Sequence, residues 1–164
     1  MSQHIISLIG NPNCGKTTLF NALTGSRQRV GNWPGVTVDK KTGNFSFEGH
    51  DIEVVDLPGI YSVTPTSVSG EDEIVARDYL LSGQAQVVVN IVDASNLERN
   101  LYLTSQLVEM HVPMIVVVNM LDIAKQHKIK LDLDALEKQL GCPVIGLVAN
   151  RNKGIEDLKK ALVK

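Results

Sequence analysis

The sequence predicts a single α/β domain, in which a mostly parallel central sheet carries one antiparallel edge hairpin and helices cover both faces. Three observations favour this fold class. Strand-sized apolar runs alternate with helix-patterned segments along the chain. A glycine-rich stretch at residues 10–17 joins the first strand to the first helix. The runs at residues 86–92 and 114–118 are almost wholly apolar, which is typical of strands covered on both faces of a parallel sheet.

The first half of the chain combines regular elements with two long loops. The expected elements are a strand at residues 4–9, a helix at 16–24 closed by Gly25, a hairpin with strands at 44–48 and 51–57, and a helix at 71–81. Residues 26–38 contain glycines, a proline and two arginines, so most of this stretch is expected to be an irregular, mobile loop. Residues 60–70 are rich in Ser, Thr and Pro and are expected to form a second mobile loop.

The second half of the chain alternates strands and helices. The expected elements are a strand at 86–92, a helix from an N-cap at Asp93 to about 110, a strand at 114–118, a helix at 133–140 ended by Gly141, a strand at 144–148 and a helix at 154–163. No repeat or linker interrupts them, so residues 1–164 are interpreted as one domain. Ligands of such sheets bind at the carboxyl ends of the strands.

Composition excludes several functional classes. A formal net charge of -2 provides no broad basic surface, so no nucleic acid partner is expected. The apolar runs are too short to cross a bilayer, so direct membrane insertion is not expected. Two cysteines support neither a zinc site nor a disulfide framework. Because the N-terminus also lacks a signal-peptide pattern, the expected compartment is the cytoplasm.

Residues 10–17 (GNPNCGKT) have the pattern of a phosphate-binding loop. Gly10 and Gly15 let the backbone N–H groups converge on one hollow at a helix N-terminus, where an anion is stabilised. Lys16 adds a charge for the outer phosphates, and the Thr17 hydroxyl can bind Mg²⁺. The alternative is a Gly-rich turn before an ordinary helix. The nucleotide-binding residues predicted here are Gly10, Asn11, Asn13, Cys14, Gly15, Lys16, Thr17 and Thr18.

Two further positions are typical of a switch that responds to a γ-phosphate. Asp56 ends a predicted strand and can hold Mg²⁺ through a water, while Gly59 leaves its backbone N–H bare. Gly35, Val36 and Thr37 in the first loop are predicted to bind nucleotide. The Thr37 hydroxyl can be a second ligand of Mg²⁺, so loss of the γ-phosphate would release both loops. Alone, Asp56 could be a strand-end turn, and Thr37 could simply open a strand.

Asn119 and Asp122 follow a buried strand and are predicted to read the base. A carboxylate accepts hydrogen bonds from N1–H and the exocyclic amine of guanine, whereas adenine would leave it unpaired. Asn119 can brace the loop. The spacing Asn-x-x-Asp is a weak signal alone and a strong one after a phosphate loop and an Asp-x-x-Gly.

The order of these motifs resembles a Ras-type P-loop GTPase domain. Finer stretches resemble one family, the N-terminal cytoplasmic G domain of the bacterial ferrous-iron transporter FeoB. They are residues 10–17, 29–38 (RVGNWPGVTV), 56–62 (DLPGIYS) and 93–102 (DASNLERNLY). The resemblance implies GTP hydrolysis with Mg²⁺, coupled to Fe²⁺ uptake across the inner membrane. It also implies helical and membrane domains after this segment, so the chain resembles an isolated or truncated G domain.

Departures from the general GTPase pattern lead to further expectations. Met120 stands where many relatives have Lys, and Ala149-Asn150 stands in the base-binding loop, where the Asn150 N–H would reach guanine O6. Ile60 replaces a water-orienting Gln, so hydrolysis is expected to be slow.

K⁺ is expected to replace the polar catalytic groups that this sequence lacks, as the resemblance implies. Its ligands would be the Asn13 side chain and the backbone carbonyls of Gly31 and Trp33. Asn13 could instead only bond the loop backbone, and Trp33 could be a packing residue. The predicted catalytic residues are Asn13, Lys16, Thr37 and Gly59.

Two other functions remain open. One is a free-standing GTPase of RNA modification or ribosome assembly, against which the absence of a basic surface argues weakly. The other is a GTP sensor that does not hydrolyse, which Ile60 makes plausible. Phosphate release over many turnovers separates the sensor from the enzyme.

Overall fold

The computed structural model describes residues 3–63 and 70–163. Their strands are β1 (Gln3–Gly10), β2 (Arg29–Asn32), β3 (Asp39–Phe47), β4 (His50–Asp56), β5 (Val87–Asp93), β6 (Met114–Asn119) and β7 (Val144–Gly146). Their α-helices are α1 (Lys16–Thr24), α2 (Glu71–Ser82), α3 (Leu97–Glu109), α4 (Leu121–Gln126), α5 (Leu133–Leu140) and α6 (Ile155–Leu162). Short 3₁₀ helices at Ala94–Asn96 and Ala149–Arg151 complete the regular structure.

The strands form one seven-stranded sheet in the order β2-β3-β4-β1-β5-β6-β7. Pairing is parallel from β4 through β1 and β5 to β7, and antiparallel between β2, β3 and β4. The predicted fold class is therefore confirmed. Because β1, β5 and β6 lie side by side in parallel, their carboxyl ends meet at one edge, where Gly10, Asp93 and Asn119 lie.

Apolar clusters on the two faces of the sheet hold the helices in place. Leu8 and Ile9 are successive residues of β1 and belong to different clusters, as the alternation of a strand requires. The helix residues that take part include Leu19 of α1 and Leu158 of α6 on the side of Leu8, and Val75 of α2 and Leu103 of α3 on the side of Ile9. The helices thus cover both faces.

Some predicted boundaries were wrong. The first loop was expected to be largely irregular, but four of its residues form β2, which pairs with β3 at the sheet edge. All four are exposed, so the strand carries no apolar alternation that a sequence pattern could reveal. Strand β3 also begins at Asp39, five residues before the expected start at 44.

Two differences lie in the second half of the chain. Helix α4 was not predicted, since it has only six residues and follows β6 after the single residue Met120. The last strand ends at Gly146 instead of 148, because Val148 forms an isolated bridge with Lys153 around the second 3₁₀ helix. Of the second predicted loop, residues 64–69 lie outside the described residues. Within the described ranges, no helix has the length and hydrophobicity needed to cross a membrane.

Candidate functional site

The glycine-rich loop between β1 and α1 is held by close contacts that only glycine permits. Gly15 precedes α1 with φ of 91°, and a Cβ there would lie 2.2 Å from Nδ2 of Asn119. A Cβ on Gly10 would lie 2.7 Å from both the Cys14 Sγ and the Ile91 carbonyl oxygen. Both positions therefore require glycine in this structure, because a side chain would collide with neighbouring atoms. The loop packs against the end of β6.

The loop borders a cavity of about 510 Å³, termed the main groove here. The groove is lined by Asn11, Pro12, Asn13, Gly15, Lys16, Thr17, Thr18, Gly59 and Met120. Lys16 forms an ion pair with Asp56 at the end of β4, so the cation and the carboxylate lie together at the groove. The side-chain oxygen of Asn11 is buried and has no hydrogen-bond partner within residues 3–63 and 70–163. The groove is thus lined by a cation and hydroxyl groups, and a carboxylate is paired with the cation.

A second cavity of about 90 Å³, termed the side pocket, adjoins the groove, because both are lined by Gly15, Thr18 and Met120. The other residues of the side pocket are Asn119, Asp122, Ile123 and Asn150. The predicted base-reading residues therefore lie beside the predicted phosphate loop. Ile123 and Pro12 line these cavities and were not predicted, since apolar residues there carry no chemical signal.

Asn119 connects three segments of the site. Its Nδ2 donates to the carbonyl of Cys14 at 3.1 Å, and its Oδ1 accepts from the backbone N–H of Ala149 at 3.0 Å. The residue is only 4% exposed. The side chain therefore braces the glycine-rich loop against the loop after β7, as expected of it. Met120 follows with φ of 63°, a left-handed conformation that begins α4 and places Asp122 in its first turn.

Gly59 lies against the glycine-rich loop. A Cβ at Gly59 would lie 3.2 Å from Cα of Pro12, and the next residue, Ile60, donates its N–H to the Gly10 carbonyl at 3.0 Å. The Ile60 side chain is 1% exposed and belongs to the core cluster that contains α2. At this segment the groove therefore meets the backbone of Gly59, and no polar side chain comes from Ile60.

The first loop contributes less to the groove than its sequence suggested. Thr37 lies 3.5 Å from a carboxylate oxygen of Glu71, at the start of α2. Among the described residues, the main groove includes none of the first-loop positions predicted to bind nucleotide or K⁺. These positions are Gly31, Trp33, Gly35, Val36 and Thr37.

Trp33 is a packing residue in this structure. It is 7% exposed, and its ring meets the Tyr79 ring edge-on at 5.4 Å between centroids. Its carbonyl accepts from the N–H of Val36 at 3.2 Å, and its indole nitrogen is buried with no hydrogen-bond partner among the residues that the structure describes. Burial raises the pKa of Tyr79 to about 12, so this phenol stays protonated. Trp33 thereby ties the first loop to α2.

Cys14 is a packed thiol inside the glycine-rich loop. It is 1% exposed, and burial raises its pKa to about 11, against the weaker opposite effect of Lys16. Burial also raises the pKa of the half-buried Cys142 thiol. Both thiols are therefore protonated near neutral pH.

We expect iodoacetamide to label Cys142 before Cys14 at pH 8, because only the thiolate reacts and Cys14 is the more deeply buried. The labelling rate of Cys14 should keep rising past pH 10, as its raised pKa requires. Mass spectrometry of tryptic peptides against time gives both rates. Faster labelling of Cys14 would show that its environment is more open than the structure indicates.

The donor set suits a nucleoside phosphate with its metal ion. Lys16 and the N-terminus of α1 attract an anion, and the glycines leave room for phosphate groups next to the backbone. Thr17 supplies a hydroxyl and Asp56 a carboxylate, the hard oxygen ligands that Mg²⁺ prefers. Asp122 supplies an acceptor in the side pocket for the edge of a base.

Comparison with known proteins points in the same direction. The family described as ferrous iron transport protein B matches residues 4–162. The Fe(2+) transporter FeoB of Escherichia coli strain K12 is 60% identical over 163 residues, which are 99% of this chain and 21% of that protein. This chain thus spans about a fifth of the length of the curated relatives that it matches.

Solved structures agree with the sequence comparison. The cytosolic domain of L. pneumophila FeoB is 51% identical with a TM-score of 0.92, over 97% of this chain and 68% of that one. A point mutant of S. thermophilus NFeoB bound to GDP is 48% identical with a TM-score of 0.91, over 99% of this chain and 61% of that one. The nucleotide in that relative is of the class that the donor set here suits.

Proposed function

The chain belongs to the ferrous iron transport protein B family, and we propose that it is the GTP-binding and GTP-hydrolysing domain of a bacterial Fe²⁺ transporter. In this proposal a GTP switch is coupled to ferrous iron uptake. The segment is a cytoplasmic domain, and the whole protein lies in the inner membrane with helical and membrane domains. GTP is the substrate, and GDP and phosphate are the products.

The observation that carries the proposal is that the main groove and the side pocket adjoin each other around Gly15. Phosphates require the groove, where Lys16 and the loop N–H groups supply positive charge. A guanine base requires the side pocket, where Asp122 offers a carboxylate and Met120 an apolar surface. The GDP bound by the S. thermophilus relative supports the same assignment.

The remaining predicted ligands are proposed to act around these two centres. In the groove they are Asn11, Asn13, Thr17, Thr18 and Gly59, with Gly10 and Cys14 in the glycine-rich loop beside it. Gly35 and Val36 would join them from the first loop, and beside the base they are Asn119, Ala149 and Asn150. Thr17, Thr37 and, through a water, Asp56 would hold Mg²⁺, which supplies charge neutralisation between the outer phosphates. In this structure Asp56 is paired with Lys16, so phosphate binding would compete with the carboxylate for the lysine.

Competition binding tests the nucleotide class. With Mg²⁺ present, GTP and GDP should displace a fluorescent GDP analogue, whereas ATP should require at least about a hundredfold higher concentration. The reason is that adenine presents no donor at the positions that face Asp122. Displacement by ATP at the same concentration as GTP would contradict the assignment of the side pocket.

Thr37→Ala should separate binding from hydrolysis. The hydroxyl lies next to Glu71 here and must move to reach a metal ion, so GDP affinity should stay near that of the parent. Turnover of GTP should fall about a hundredfold, because the first loop no longer closes over the γ-phosphate. Phosphate release and GDP titration measure the two effects. Hydrolysis at the parent rate would remove Thr37 from the mechanism.

K⁺ is proposed as an activating ion, with Asn13 and the carbonyls of Gly31 and Trp33 as its ligands. Asn13 lines the groove, and a neutral-oxygen set suits a weakly hydrated monovalent cation. Gly31 pairs with Lys40 between β2 and β3, and the Trp33 carbonyl accepts from Val36. The first loop would therefore have to rearrange before all three could meet.

The test of this proposal is GTP turnover at fixed ionic strength in K⁺ and in Na⁺. The parent should be about tenfold faster in K⁺, because a cation near the phosphates stabilises the charge that develops during hydrolysis. Asn13→Ala should be equally slow in both salts. Equal parent rates in the two salts would exclude K⁺ activation.

A further inference from the structure

Gln106 of α3 holds the segment that follows Gly59. Its Oε1 accepts from the N–H of Val63 at 2.8 Å and from the Ser62 hydroxyl at 3.1 Å. Its Nε2 donates to the Ser62 oxygen at 2.9 Å. Gln106 is 8% exposed; its bond to Val63 is buried, where hydrogen bonds are strongest, and its two bonds with Ser62 are part-buried. One side chain therefore fixes two successive residues of another segment.

The other end of this short segment is fixed by the glycine-rich loop. Ile60 donates to the Gly10 carbonyl, and Gly59 lies against Pro12. Ile60 and Val63 are also both buried in the same cluster. Between the two anchored ends Tyr61 is 48% exposed, and the Arg99 guanidinium of α3 lies over its ring at 5.0 Å from the centroid.

Anchoring at both ends determines where the Gly59 N–H can lie. With Gln106 in place, both ends of the segment are hydrogen-bonded to other segments, and Gly59 lines the main groove. Without it, residues 61–63 gain conformational freedom that must be lost again whenever Gly59 contacts a γ-phosphate. GDP has no γ-phosphate, so its binding does not require residues 61–63 to lose this conformational freedom.

We propose that Gln106 is a positioning residue for GTP hydrolysis, which acts through Ser62 and Val63 to hold the Gly59 N–H at the groove. This inference rests on the proposed GTPase function. Gln106 touches no nucleotide in this proposal. Loss of Gln106 should therefore weaken the binding of GTP more than that of GDP, because only GTP has a γ-phosphate that contacts the Gly59 N–H.

Thr104 provides a matched control on the same helix. It is fully buried, and its hydroxyl donates to the side-chain oxygen of Asn90 in β5. Thr104→Val removes one buried hydrogen bond of α3 without touching residues 59–63. A general loosening of α3 would therefore act in both variants, whereas the loss of the anchor would act only in the Gln106 variant.

The experiment compares the parent, Gln106→Met and Thr104→Val in Mg²⁺ and K⁺. Calorimetric titration gives affinities for GDP and for a slowly hydrolysed GTP analogue, and phosphate release gives kcat and KM. For Gln106→Met we expect GDP affinity within about twofold of the parent, analogue affinity about tenfold weaker and kcat about tenfold lower. Thr104→Val should keep the parent ratio of the two affinities.

Ser62→Ala is the second variant, in case Gln106→Met does not fold. Of the three hydrogen bonds described between Gln106 and residues 62 and 63, it removes the two that involve the Ser62 hydroxyl, and it should change the same ratio by a smaller factor. Equal weakening of both nucleotides by Gln106→Met and Ser62→Ala would overturn the proposal, as would the same ratio change in Thr104→Val. A parent that binds neither nucleotide would contradict the proposed function itself.

Discussion

Gly15→Ala is expected to abolish measurable nucleotide binding and to lower the free energy of unfolding by about 2–5 kcal/mol. The left-handed conformation at Gly15 alone costs a non-glycine residue about 1–2 kcal/mol. The added Cβ would also lie 2.2 Å from Nδ2 of Asn119 and must displace that side chain. Asn119 then loses its bonds to Cys14 and Ala149, and unpaired buried groups cost about 1–3 kcal/mol.

Gly25→Ala is the matched control for this prediction. Gly25 closes α1 with φ of 68°, and a Cβ there would have no atom of the described part of the chain within 4 Å. Gly25→Ala should therefore lower the free energy of unfolding only by the cost of the left-handed conformation, about 1–2 kcal/mol, and should leave GDP affinity unchanged. Urea unfolding and GDP titration give both quantities. If the two variants bind GDP equally well, Asn119 does not brace the loop in the way that the structure shows.

Asp122→Asn should reverse the base preference of the site. In the proposed site the carboxylate of Asp122 would accept hydrogen bonds from the donors of guanine, whereas the amide introduced by the substitution could also donate to the 2-oxo group of xanthine. Because an unpaired polar group in the pocket is costly, the ratio of GTP to xanthosine triphosphate affinity should shift by about 10²–10⁴ towards the xanthine nucleotide. Competition binding with both nucleotides measures this ratio.

The control for the base prediction is Asp134→Asn. Asp134 lies in the first turn of α5, as Asp122 lies in the first turn of α4, so both substitutions remove a favourable charge from a helix N-terminus. Asp134→Asn should leave the base preference unchanged. An unaltered preference for GTP in Asp122→Asn would show that another group reads the base.

Much of the fold and the core of the site could be predicted because each depends on local pattern. The apolar runs of β5 and β6 are buried on both faces, so they differ clearly from the polar segments around them. Gly15 and Asn119 belong to motifs whose chemistry requires those residue types. Asn119 also lies at the end of a buried strand, where parallel sheets bind their ligands.

The unpredicted features depend on contacts between distant parts of the chain. Gln106 meets Ser62 across 44 positions, and a polar residue on the buried face of α3 was the only local signal. Strand β2 is fully exposed and forms only because β3 offers an edge. For Trp33 the sequence left two roles open, packing and shaping the nucleotide site, and only the contact with Tyr79 of α2 shows that its ring packs.

The central claim is that this chain hydrolyses GTP, and phosphate release over many turnovers tests it most directly. With Mg²⁺ and K⁺, the parent should release many equivalents of phosphate from GTP and none above background from ATP. Because Ile60 cannot orient water, the rate should lie below about one turnover per second, at the slow end of the range for enzymes. GTP that binds tightly and yields no phosphate would identify a nucleotide sensor and contradict the claim.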